Sequence, residues 1–111
     1  MTEPCQAQGC PCAGTVYDRK QGIYLCRFHY RLEPRLWQPM TNRLNDFLWL
    51  LKITKWIREE SYRYQDEKII DRIRRAVKCV DVLLPREGES PQLWQARAEH
   101  WLDTPVRIGR I

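Results

Sequence analysis

Four of the five cysteines and one of the two histidines fall between Cys5 and His29, in the stretch CQAQGCPCAGTVYDRKQGIYLCRFH. Cys5, Cys10, Cys26 and His29 are spaced C-x4-C-x15-C-x2-H. Tetrahedral zinc is held by two ligand pairs, each delivered by a short turn, with a segment between them that folds back to unite the pairs. Cys26 and His29, three residues apart, share one side of a starting helix. The set therefore predicts one bound Zn2+. Four protein ligands leave no coordination position for water, so the ion is expected to be structural. Cys12 is the alternative ligand, in a C-x-C-x13-C-x2-H set. A pair separated by one residue closes a tighter turn, which favours Cys5, and the spare thiol then lies beside metal and basic residues that promote thiolate.

The phrase formed by Cys5, Gly9, Cys10, Leu25, Cys26, His29, Tyr30 and Arg31 resembles a small zinc module of phage and bacterial proteins, often found beside HNH-type endonucleases. The resemblance covers about the first 31 residues. It implies zinc and a nucleic-acid-associated setting without implying an activity, and Cys12 is a departure from the pattern.

Enzymatic readings fail on composition. A zinc deaminase needs H-x-E and a P-C-x-x-C pair, but Pro11-Cys12 is followed by Ala13-Gly14-Thr15 and no H-x-E occurs. An HNH centre lacks histidines, since only His29 and His100 exist. Cys79 falls in an apolar-periodic stretch and reads as a buried structural thiol. The five glycines are scattered and form no phosphate-cradling loop. No enzyme, catalytic residue or small-molecule substrate is expected.

The metal ligands need elements to position them. Thr15-Val16-Tyr17 and Ile23-Tyr24-Leu25 flank a polar loop ending in Gly22 and predict a β-hairpin. Residues 26–33 read as a helical turn or two, stopped by Pro34. Residues 1–34 thus form a zinc-binding module, treble-clef or zinc-ribbon-like, too small to fold without a staple, and residues 35–40 form a linker. From Thr41 to Leu84 there is neither glycine nor proline. A single helix there would be about 66 Å long, so two antiparallel helices are expected, about 41–60 and 65–84, broken in the polar interval Ser61–Asp66. Ser90 as N-cap with Pro91 at the first helical position starts a third helix, 91–102. Residues 104–111 are a tail that could dock as an edge strand or fray. The expected fold is mainly α: a zinc-stapled β-hairpin followed by a three-helix domain, 41–103.

No apolar run reaches membrane-spanning length, and the N-terminal residues lack the charge and apolar run of a signal peptide. The expectation is a soluble, cytoplasmic protein with no membrane partner, a reducing setting in which clustered cysteines favour metal over disulfides. The net charge of +5 comprises +2 in residues 1–38, +3 in 39–84 and 0 in 85–111. Arginine supplies 14 of the 19 cations, a bias toward recognising phosphate, carboxylate or protein surfaces. Candidate contacts are Arg19, Lys20, Arg27 and Arg31 in the module, and a stripe of Lys68, Arg72 and Arg75 flanked by Arg74 and Lys78. Trp37 in the linker could lock the module to the helices or anchor a partner. These features point to a non-enzymatic, nucleic-acid-associated regulator or adaptor of phage or mobile-element type. The alternative is a protein-interaction factor that modulates or inhibits a host protein without touching nucleic acid.

Overall fold

The computed structural model describes residues 3–77 and 80–107. The chain is mainly helical with an N-terminal antiparallel hairpin. It divides into two units: one takes the chain up to Asp46 and again from Leu102, and the other is Phe47–Trp101.

In the first unit, β1 (Glu3–Pro4) pairs antiparallel with β2 (Ala13–Gly14), and β3 (Val16–Asp18) pairs with β4 (Ile23–Leu25). Asp18 organises the β3–β4 loop: its Oδ1 accepts from the Lys20 N–H at 2.9 Å and its carbonyl from the Gly22 N–H at 2.8 Å. Gly22 supplies the φ of +69° that this closure needs. The β1–β2 pair carries no alternating pattern to announce it. It depends on close approach, because a Cβ on Gly14 would stand 2.8 Å from the Pro4 carbonyl oxygen. Helix α1 (Arg27–Tyr30) packs on β3, β4 and α2 (Trp37–Asp46).

Residues 35–40 are therefore helical and not a linker. Pro34 opens a 3-10 turn, Pro34–Leu36, after an extended Glu33, and Pro39 sits in the first turn of α2, where its missing N–H has no helical partner to lose. Met40 and Leu44 on α2 are fully buried, as are Leu25 and His29.

The second unit begins with a break that the sequence does not signal. The expected helix 41–60 is split at Phe47 (φ −119°, ψ 43°), and α3 spans Leu48–Glu60. The Phe47 ring packs edge-on against Trp101, centroids 4.8 Å apart, and against Trp49. Tertiary packing of one aromatic outweighs a propensity difference of a few tenths of a kcal/mol. A 3-10 turn at Ser61–Arg63 follows, and α4 spans Asp66–Ala76. The expected helix 65–84 thus ends eight residues early, at an extended Val77. Val77, Val80 and Val82 are β-branched and weak helix formers, and the chain passes instead through a 3-10 turn, Asp81–Leu83. Lys78, expected to flank the basic stripe, and Cys79, expected as a buried thiol, lie outside the described residues.

Helix α5 spans Pro91–Arg107, five residues beyond its expected end, so residues 104–107 are helical and not tail. Pro105 forfeits one backbone donor but has the φ of a helix, and nearby Arg43 Nε donates to the Leu102 carbonyl at 2.7 Å. The long helices from Trp37 onward number four among the described residues, where three were expected from residue 41. The unit boundary at 46/47 also replaces the expected one at 35–40.

A clasp holds the chain between α4 and α5. Arg97 Nε and Nη2 form a fork with Glu89 (2.8 and 2.9 Å), while its Nη1 and Nη2 donate to the Val82 and Leu84 carbonyls. Fully buried Trp94 donates from Nε1 to the Leu83 carbonyl at 2.7 Å. The hydrogen bond to Arg97 holds the Glu89 carboxyl below its usual range, against the opposing effect of burial.

Candidate functional site

The loop ahead of β2 and the start of α1 bring four side chains together. Cys5, Cys10, Cys26 and His29 each direct one ligand atom into a cluster whose atoms lie within 4.8 Å of one another, a group that could hold one metal ion. Cys5 Sγ and Cys26 Sγ stand 3.6 and 3.1 Å from His29 Nδ1, and Cys10 Sγ is 3.9 Å from Cys26 Sγ. Backbone bonds shape the first pair: the Cys5 N–H donates to the Cys12 carbonyl and the Cys10 N–H to the Ala7 carbonyl. Gly9, at φ +78°, makes the turn between them. Cys12 stands outside the four-atom group, and its N–H points at Cys10 Sγ at 3.4 Å. Spacing alone leaves Cys5 and Cys12 open as ligands; the folded geometry puts Cys5 in the group.

Hydrogen bonds polarise the sulfurs. Those with Cys10, Cys12 and Cys5 hold the Cys26 thiol far below its usual range, and the corresponding bonds push Cys10 far above it. The Cys12 thiol is pushed up to about 12, because Cys26 and burial outweigh the lowering effect of its bond with Cys10. Burial works to lower the His29 pKa, yet hydrogen bonds to Cys26 and Cys5 raise it to about 9. A cation entering the cluster would meet the Cys26 thiolate directly and displace one proton, that on His29 Nδ1.

The far side of the imidazole is fixed as well. His29 Nε2 lies 2.9 Å from Thr41 Oγ1 and 3.1 Å from the Trp37 carbonyl oxygen. A carbonyl can only accept, so Nε2 carries the hydrogen and Nδ1 is presented to the cluster. Thr41, 2% exposed, was invisible as a functional residue in the sequence, since nothing links it to His29 until α2 packs on α1. Outer partners of this kind change metal affinity by about 10- to 100-fold. Thr41→Val is expected to weaken metal binding about 10-fold, the low end, because the Trp37 carbonyl remains; Thr41→Ser should retain wild-type affinity. Competition with a chromophoric chelator measures both.

Trp37, considered as a partner anchor, is half-buried. Its Nε1–H donates to the Leu32 carbonyl at 3.1 Å, and its ring meets that of His29 edge-on at 6.1 Å. Its contacts thus tie α2 to His29.

The basic candidates fall on separate surfaces. Arg19 and Lys20 are exposed in the β3–β4 loop, Arg31 is exposed after α1, and half-buried Arg27 lies over the Phe28 ring at 5.6 Å. In the second unit, Lys68, Arg72 and Arg75 are exposed along α4, and among the described residues none is paired with a carboxylate. Arg74 is paired with Asp71 at 3.2 Å, and Lys78 lies outside the described residues.

The α4 cations border an open groove of about 460 Å3 lined by Trp56, Tyr64, Lys68, Asp71, Arg72 and Arg75. The Arg72 guanidinium lies over the Trp56 ring, 4.2 Å from its centroid, and Tyr64 stands 5.5 Å from that ring. In the sequence Trp56 lies in an apolar-periodic stretch and Tyr64 in the polar interval Ser61–Asp66, and neither spacing marks a site. Only the α3–α4 turn brings them to the cations.

No protein-family model matches the chain, and no curated protein and no solved structure matches it. Among the described residues, no helix is long and apolar enough to cross a membrane.

Proposed function

We propose that this is a non-enzymatic nucleic-acid-associated protein whose N-terminal module is held by one structural Zn2+ and whose second unit contacts phosphates through α4. Zinc is supported by the donor set and its spacing. Around an ion with Zn–S of about 2.3 Å and Zn–N of about 2.0 Å, tetrahedral edges are about 3.8 Å between sulfurs and about 3.5 Å from sulfur to nitrogen. The Cys10–Cys26 and Cys5–His29 separations, 3.9 and 3.6 Å, fit those edges, while the 3.1 Å from Cys26 to His29 is shorter and would open on binding. A loop pair, a hairpin and then a pair on the first helical turn is the order of a treble clef. With four protein ligands the ion supplies cross-linking and no activated water.

The observation that carries the nucleic-acid reading is the run of three unpaired cations on α4 beside two aromatic rings. Lys68, Arg72 and Arg75 occupy about 10 Å of helix axis, a span that can meet successive phosphates of one strand. Arginine held flat against an aromatic ring keeps its outward donors for phosphate. The test is a pull-down of the tagged full-length chain with and without nuclease treatment. Nucleic acid should co-purify and be lost on digestion. A stable protein partner retained after digestion, with no bound nucleic acid, would replace this reading with the protein-interaction one.

A further inference from the structure

We infer that the α3–α4 groove holds an unpaired nucleotide of a single strand, with its base against Tyr64 and the strand's phosphates on either side of that base on Lys68, Arg72 and Arg75. This inference rests on the nucleic-acid reading and specifies its mode. The groove has two chemically distinct walls. Lys68, Arg72 and Arg75 form the cationic wall, and its one acid, Asp71, is engaged with Arg74. The second wall is aromatic, and its two rings differ in role. Trp56 is capped by the Arg72 guanidinium at 4.2 Å, so it serves as the platform that holds Arg72. Tyr64 remains 46% exposed although it stands beside Trp56, leaving ring surface free for stacking.

Stacked bases in a duplex bury their faces, and a Tyr ring set into a groove cannot reach them without unstacking the pair. A single strand offers both a base face and adjacent phosphates, the two features these walls complement. The volume of about 460 Å3 lies within the range of small-ligand sites, about 300–1,000 Å3, and suits one nucleotide better than a double helix.

The test uses the full metal-loaded chain and fluorescence anisotropy with three probes: a labelled oligonucleotide of about twelve nucleotides, the same sequence in a hairpin duplex, and a fluorescent nucleoside monophosphate as the free-nucleotide source. The single strand should bind at least about 10-fold more tightly than the duplex or the mononucleotide. Tyr64→Ala should weaken single-strand binding about 5- to 150-fold, the equivalent of one base–aromatic stack, and leave duplex binding unchanged. Tyr64→Phe should bind as wild type, which separates stacking from loss of fold, with circular dichroism as the check. Equal affinity for strand and duplex, with neither changed by Tyr64→Ala, overturns the groove assignment while the nucleic-acid reading stands. A mononucleotide that binds as tightly as the strand overturns the strand as the source. Absence of binding to every probe at low salt overturns the nucleic-acid reading itself.

Discussion

Cys26→Ser, or chelation of the metal, is expected to unfold the chain from Cys5 to Tyr30 while α3 and α4 remain helical. The reason is the shortage of other cohesion in that segment. Its buried apolar side chains up to Tyr30 are Ala7, Leu25 and Phe28 besides the cysteines, and its strands are two or three residues long. A structural zinc contributes about 10–16 kcal/mol of apparent binding free energy to segments of this size, as much as the entire stability of an ordinary domain, about 5–15 kcal/mol. Cys26 is the severest single site, since its sulfur contacts both Cys10 and His29. Cys5→Ser should lose the metal too, whereas Cys12→Ser should keep it, because Cys12 stands outside the ligand group. Metal content per chain, read alongside amide dispersion in an NMR spectrum, distinguishes the three. Metal retained in Cys5→Ser and lost in Cys12→Ser would exchange their roles.

The Arg72→Glu/Arg75→Glu double variant is expected to reduce nucleic-acid affinity by more than about 100-fold, since each lost charged hydrogen bond is worth about 1.5–3 kcal/mol. Both side chains are exposed, so the fold should survive, and unchanged thermal unfolding is the control. Arg74→Ala is the informative neighbour: Asp71 already neutralises Arg74 at 3.2 Å, and binding should fall by less than about threefold. If Arg74→Ala were as damaging as the double variant, the contact would be spread over the whole positive face and not concentrated at the groove.

The Cys5, Cys10, Cys26 and His29 cluster was legible because the spacing that suits a shared metal ion is local. Cys26 and His29 declare themselves by a three-residue interval, and the hairpin between the pairs by Gly22 and its β-prone flanks. Thr41 and Trp37 were not legible as partners of His29, since their roles arise only when α2 packs on α1. The helices show the same division. The start of α5 is written in Ser90 and Pro91, but the break at Phe47 depends on Trp101, far along the chain, and the early end of α4 on competition between β-branched valines and the apolar period. The aromatic half of the groove was hidden for a similar reason: Trp56 and Tyr64 join the α4 cations through a turn whose sequence, Ser61–Gln65, carries no sign of a ligand. Apolar periodicity reports burial well, but it does not distinguish a core tryptophan from one that supports an exposed arginine.

The central claim is that three unpaired cations on α4 bind phosphates, and the salt dependence of affinity measures their number. For a single strand the slope of log K against log salt is about −0.7 per phosphate. Three contacts predict a slope of about −2, or affinity about 20-fold weaker at 200 mM than at 50 mM salt. In the Arg72→Glu/Arg75→Glu chain any residual slope should be no steeper than about −0.7. A wild-type affinity that is insensitive to salt, or no affinity even at 50 mM, contradicts the account.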